Sequence, residues 1–148
     1  MEPHAYNVNI EWNSERKGTM SSPELNTTIE VATPPNFPKG MEGVWSPEHL
    51  FTAAVASCLM TTFLSIAENS KLDFVSFKIE SKGILEQVDG KFLMTRVELY
   101  PVVVIHEEKD RARADRILQK SETACLISNS VKAKVEMKAV IEVMAIAA

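Results

Sequence analysis

From Tyr6 onward the chain alternates apolar and polar residues with the two-residue period of a strand that is dry on one side. Tyr6, Val8, Ile10 and Trp12 fall on one face, and Asn7, Asn9 and Glu11 on the other. After a turn at Asn13-Ser14, short strands fit residues Arg16 to Ser21 and Leu25 to Ala32. A loop follows, marked by Pro34, Pro35, Pro38, Gly40 and Gly43. There the pattern changes. Ser46 suits an N-cap, Pro47 the first helical position, and Glu48 the positive end of a helix dipole, so a helix is predicted from here to about Asn69. Strand alternation then returns, with Val75, Phe77, Ile79 and Leu85 set against Lys78, Glu80, Lys82 and Glu86. Asp89-Gly90 signals a hairpin, and the returning strand carries Leu93, Val97, Leu99, Val103 and Ile105 on one face. A second, amphipathic helix is expected from near Glu107, with Ile117, Leu118, Ser121 and Cys125 along one side. A last strand from Val131 to Met144, apolar at odd positions, ends the pattern.

Strands, helix, hairpin, helix, strand is the order of an α+β fold, read as a single domain over residues 1–148. Each strand shows one dry face, so the sheet should be mostly antiparallel with helices over that face. The first helix is a separate problem, because Leu50 to Ala67 contains no charge. Five Ser/Thr residues and a length that barely reaches a bilayer span favour a buried central helix over a membrane helix. One small sheet cannot cover such a helix on all sides, so a subunit partner, and hence a homodimer, is expected.

Composition narrows the function. Hydrophobic residues make up 45%, enough for a core, and the net charge of −4 gives no basic footprint for nucleic acid. Lys132, Lys134 and Lys138 share their face with Glu136 and Glu142 and read as the wet side of a strand. No charged and then apolar leader opens the sequence, and a cytoplasmic location is expected. In a reducing compartment the two cysteines, Cys58 and Cys125, are then either inert core or catalytic thiols. There is no Cys-x-x-Cys, and a separation of 67 positions with three scattered histidines fits no metal module. A thiol that cleaves peroxides must be stabilised as a thiolate and needs a second thiol in reach. One cysteine on each helix, both facing the core, could meet the second condition. His49 reads as a polar residue at a helix start, and His106 as a strand end. Trp45, Phe51 and Phe63 read as core, or as the wall of an apolar pocket.

The residues from Ser46 to Cys58, Ser-Pro-Glu-His-Leu-Phe-Thr-Ala-Ala-Val-Ala-Ser-Cys, resemble the Asn-Pro-Glu-x-Leu-x-x-Ala-x-x-x-x-Cys signature of the OsmC/Ohr family (osmotically inducible protein C and organic hydroperoxide resistance protein). Glu122-Thr123-Ala124-Cys125-Leu126-Ile127-Ser128 resembles its second motif, where Cys-Pro-x-Ser is usual and Leu126 stands in place of the proline. The resemblance implies an OsmC-like fold in an intertwined homodimer that reduces organic hydroperoxides or hydrogen peroxide. It implies no bound cofactor or metal, but an external dithiol reductant. Cys58 would be the peroxidatic thiol and Cys125 the resolving one. Glu48 would orient an arginine that stabilises the thiolate. Arg16 is the preferred candidate for that arginine, with Lys39 the nearest basic residue at the other position the family uses. Ten residues of straight helix rise roughly 15 Å. If Glu48 and Cys58 serve one site, they therefore come from different subunits or from a bent helix. The rival reading is a divergent, non-catalytic dimer that binds a small apolar or thiol ligand, with a slow, high-pKa Cys58.

Overall fold

A computed structural model of the protein describes residues 1–145. Its internal contacts gather in two units that divide between Leu50 and Phe51.

The first unit is a three-stranded antiparallel sheet, β1 (Asn9–Ser14), β2 (Lys17–Ser21) and β3 (Ile29–Ala32), in that order. The expected dry face of the first strand is corrected here. Both sides of β1 stand in water, with Trp12 74% exposed and Ile10 exposed as well, and Tyr6 (83%) and Val8, which precede the strand, are exposed too. A two-residue period shows that one face is kept apolar, but not what covers it. β1 is an edge strand with nothing paired on its outer side among the described residues. Beyond β3, Val31 bridges Trp45, and the Ala32 N–H donates to the Trp45 carbonyl (2.8 Å), leading the chain to the first helix.

Helix α1 (Pro47–Asn69) starts where the sequence places it. Ser46 is fully buried and its Oγ accepts the His49 N–H (3.2 Å), which is N-capping in the ordinary sense. The same hydroxyl lies 2.7 Å from the His49 ring nitrogen Nδ1. The helix stops without glycine. Lys71 takes a left-handed conformation (φ 55°), the Leu72 N–H reaches back to the Ala67 carbonyl, and the Lys71 N–H to that of Glu68. Arg113 donates to the carbonyls of Ser70 and Lys71, so the second helix binds the end of the first.

In the second unit, β4 (Phe74–Val88) and β5 (Lys91–Ile105) form a long antiparallel hairpin closed by Asp89 and Gly90, both at positive φ as a two-residue turn of this kind requires. After a 3-10 turn at Glu108–Asp110 comes α2 (Arg111–Ala124), which buries Ala114, Ile117, Leu118 and Ser121, the expected face. The single last strand predicted from the sequence is two pieces, β6 (Lys134–Met137) and β7 (Val140–Val143), both parallel to β5 and in one unbroken register. The cause of the gap is Pro101. The carbonyls of Leu99 and Ile105 accept from Lys138 and Met144, so this parity of β5 faces β6 and β7. Pro101 shares that parity and has no N–H to give.

α1 lies on this sheet along one side only. Phe63, Ala67, Val103, Ile105, Ala114 and Leu118 form one core cluster, and Val55, Ala56, Leu59, Val97 and Leu99 form another. Phe63 stacks on Phe77 (centroids 5.0 Å) and meets Phe74 edge-on (5.2 Å). Gly83 of β4 leaves room for Thr52 of α1, where any side chain would collide with the threonine hydroxyl. By length and composition α1 could cross a membrane, but Val55, Leu59 and Phe63 are fully buried in this core. The opposite side, with Ala54, Ser57, Met60, Thr61 and Leu64, is open, so the described chain does not itself provide the all-round burial expected.

Candidate active site

Cys58 lies in the middle of α1, on the side turned to the sheet, and is 8% exposed. Cys125 follows the last residue of α2 as its C-cap, in extended conformation (φ −63°, ψ 110°), and is fully buried. The chain then turns helically. The Asn129 N–H donates to the Cys125 carbonyl (3.1 Å), and the Ser130 N–H to that of Ile127 (3.0 Å). Ile127 packs against the cluster formed by Val55, Ala56 and Leu59 of α1 with Val97 and Leu99 of β5.

The two thiols are neighbours within one chain, close enough to shift each other's ionisation, and both are free. Burial alone would raise the Cys58 thiol. That effect is outweighed by donors converging on its sulfur: the Cys125 thiol, the backbone N–H of Ile127, the Thr62 hydroxyl (3.9 Å) and the backbone N–H of Leu126. The net shift is below the ordinary cysteine value. Cys125 moves the other way. Burial raises it, and so does its neighbour Cys58, while Ser128 offsets part of the rise. The pair titrates as a unit whose first proton leaves from Cys58. Alkylation of Cys58 by iodoacetamide should therefore rise with pH through a midpoint below that of a free cysteine, while Cys125 reacts only at higher pH. Peptide-resolved mass spectrometry measures both, and equal midpoints would contradict the assignment.

Cys58 and Cys125 are thus brought together. Glu48 and Arg16 belong to the first unit. There Arg16 lines an open cavity of about 510 Å³ with Glu15, Lys39, Gly40 and Met41, so the two candidate cations face one space. Arg16 also lines a second cavity that reaches Pro47, the residue before Glu48. His49 meets Trp45 edge-on (6.0 Å), and both border a cavity with Pro35, Met41 and Val44. Phe63 is core, and His106 pairs with Asp73 (3.7 Å).

Thr62 and the turn after Cys125 are not among the residues expected at the site from the sequence. Thr62 had a signal, since four residues along a helix from Cys58 is one turn on the same face. The amides had none, because any residue but proline carries an N–H.

The family model described as OsmC-like protein matches residues 40–140. The uncharacterized protein YmaD of Bacillus subtilis (strain 168) is 28% identical over 146 residues, covering 93% of each chain. Among solved structures, an OsmC-like protein of unknown function from Vibrio cholerae superposes with a TM-score of 0.83 at 24% identity, over 93% of this chain and 100% of that one. An organic hydroperoxide resistance protein OsmC from Legionella pneumophila gives 0.75 at 20% identity, over 96% and 99%.

Proposed function

The chain belongs to the OsmC-like family, and on that footing we propose that it is a thiol-dependent peroxidase acting on organic hydroperoxides through Cys58 and Cys125. One observation carries this reading. Two thiols lie within hydrogen-bond reach, one favoured as thiolate and the other as proton holder. The divergent, ligand-binding reading expects a raised Cys58 pKa, and the hydrogen bonds act in the opposite direction.

The Cys58 thiolate attacks the terminal oxygen of the hydroperoxide and the O–O bond breaks. Cys58 becomes a sulfenic acid, and the departing alkoxide takes the proton of Cys125 to leave as an alcohol. Cys125, now a thiolate, attacks the Cys58 sulfur and expels hydroxide. That hydroxide recovers, as water, the proton lost when Cys58 first ionised. The result is a Cys58–Cys125 disulfide, two electrons having passed to the peroxide, and an external dithiol returns it to two thiols by exchange.

A second copy of this chain completes the proposal. It would cover the exposed apolar residues Tyr6, Val8, Ile10 and Trp12 of the first unit and the open side of α1 (Met60, Leu64). In this reading Arg16 and the Glu48 that holds it serve a Cys58 of the partner copy. Sedimentation equilibrium should read twice the chain mass. The test of the chemistry is one equivalent of cumene hydroperoxide, followed by mass spectrometry under non-reducing conditions. The expected product is a Cys58–Cys125 crosslink within one chain. Two unchanged thiols would overturn the proposal.

A further inference from the structure

We propose that the cavity beside the start of α1 is a binding site for a small neutral molecule with an apolar body and one oxygen acceptor, and that the His49 ring is its hydrogen-bond donor. The site lies within the first unit and uses neither cysteine.

A buried hydroxyl fixes that donor. Ser46 is fully buried, and its Oγ meets two groups of His49. One is the backbone N–H at 3.2 Å, which can only donate, so the oxygen accepts there. The hydroxyl hydrogen then needs an acceptor of its own. Among the described residues the His49 Nδ1, at 2.7 Å, is the one in reach. A neutral imidazole accepts at one nitrogen and donates at the other. Nδ1 takes the Ser46 hydrogen, so the ring carries its own hydrogen on Nε2. The opposite tautomer would make Nδ1 a second donor and leave a buried hydroxyl hydrogen unsatisfied. Nε2–H itself has no partner among the described residues.

The surroundings of this free donor are apolar. His49 borders a cavity of about 540 Å³ with Pro35, Met41, Val44 and Trp45, and Glu42 also lines it. Small-molecule sites have this size and this make-up, apolar walls with a few placed polar groups. Trp45 stands edge-on to His49 (6.0 Å) and is 53% exposed, so its indole walls the hollow instead of filling a core. The hollow is preformed by backbone hydrogen bonds on either side. The Ala32 N–H holds the Trp45 carbonyl (2.8 Å), and the Met41 N–H reaches the Thr33 carbonyl (2.9 Å). Between Met41 and Trp45, Gly43 turns the chain at positive φ (76°), which a larger residue would resist. Charge narrows the ligand further. The Glu42 carboxylate disfavours an anion here, and a lone N–H calls for a carbonyl, ether or hydroxyl oxygen.

Acetophenone is a suitable probe. Ethylbenzene lacks its acceptor, and benzoate adds a charge. Each is titrated into the full-length protein in mildly alkaline buffer and followed by NMR. Acetophenone should shift the Trp45 indole and His49 ring signals saturably. Ethylbenzene and benzoate should each bind about fivefold more weakly, the scale of one net hydrogen bond. His49→Phe should bind the ketone and the hydrocarbon alike, and His49→Gln, which keeps an N–H donor, should retain part of the ketone's advantage. Without ligand, long-range proton–nitrogen correlation of the wild-type ring should show hydrogen on Nε2 and a bare Nδ1. A ring hydrogen on Nδ1 overturns the proposal. So do Trp45 and His49 signals unmoved at the solubility limit of acetophenone, ethylbenzene or benzoate bound as tightly as the ketone, or a His49→Phe protein that still prefers the ketone. The wild-type measurements decide even where a variant does not fold. None of them involves a thiol or a peroxide, so failure of the peroxidase reading would show separately.

Discussion

Cys58→Ser should abolish peroxide consumption, with a loss on the order of a thousandfold or more in the rate of cumene hydroperoxide removal in the presence of a dithiol. The size follows from the chemistry. The donors around Cys58 act on a sulfur whose ionisation they favour, and a serine hydroxyl in the same place stays protonated. Cys125→Ser separates the two thiols' roles. It should leave the first oxidation intact, so that dimedone traps a Cys58 sulfenic acid, but stop the internal disulfide and slow the dithiol-driven cycle. Retained turnover in Cys58→Ser would remove Cys58 from the chemistry altogether. A crosslink-free wild type combined with an active Cys125→Ser would remove Cys125 alone.

The second large effect concerns stability. Phe63→Ala should cost about 3–5 kcal/mol, a large share of the stability of an ordinary domain. Phe63 is fully buried between Phe77 and Phe74, where the underside of α1 meets the hairpin and α2. The neighbours are two strands and two helices, so the void cannot be closed by moving one side chain. Urea unfolding should show a lower midpoint with an unchanged slope. Phe63→Leu, which keeps most of the volume, should cost less than half as much. A Phe63→Ala protein that unfolds within ~1 kcal/mol of wild type would show that this core repacks freely. Phe63 lies five residues beyond Cys58 on α1, so the same core fixes the height at which Cys58 meets the turn after α2.

Local signals gave the sequence reading its successes. Ser46-Pro47 starts a helix and Asp89-Gly90 turns a hairpin through the backbone and side chains of those very residues, and both act where expected. The buried face of α2 likewise follows from spacing alone. Expectation and structure part where the outcome depends on distant residues. A proline on β5 divides a strand some 38 positions later, and nothing near Val140 announces it. Tyr6 to Trp12 carries the pattern of a covered face without naming the cover. The candidate site falls between these cases. Cys58 was legible through its place after Ser-Pro-Glu, but its meeting with Cys125 depends on how the turn at residues 125–130 seats on α1, and the donor amides belong to the backbone and so leave no mark in residue type.

The proline on β5 also bears on how the fold comes apart. Because Pro101 offers nothing to the Lys138 carbonyl, the last column of the sheet is two short zippers, and opening one need not open the other. β7 holds to β5 through four residues, and behind it lie Val103 and Ile105, the wall on which α2 rests. The C-terminal edge is thus where the interior should first meet water under stress. Amide exchange in β7 should be fast relative to β6, and the seam at Lys138 is where a protease would find the backbone already half released.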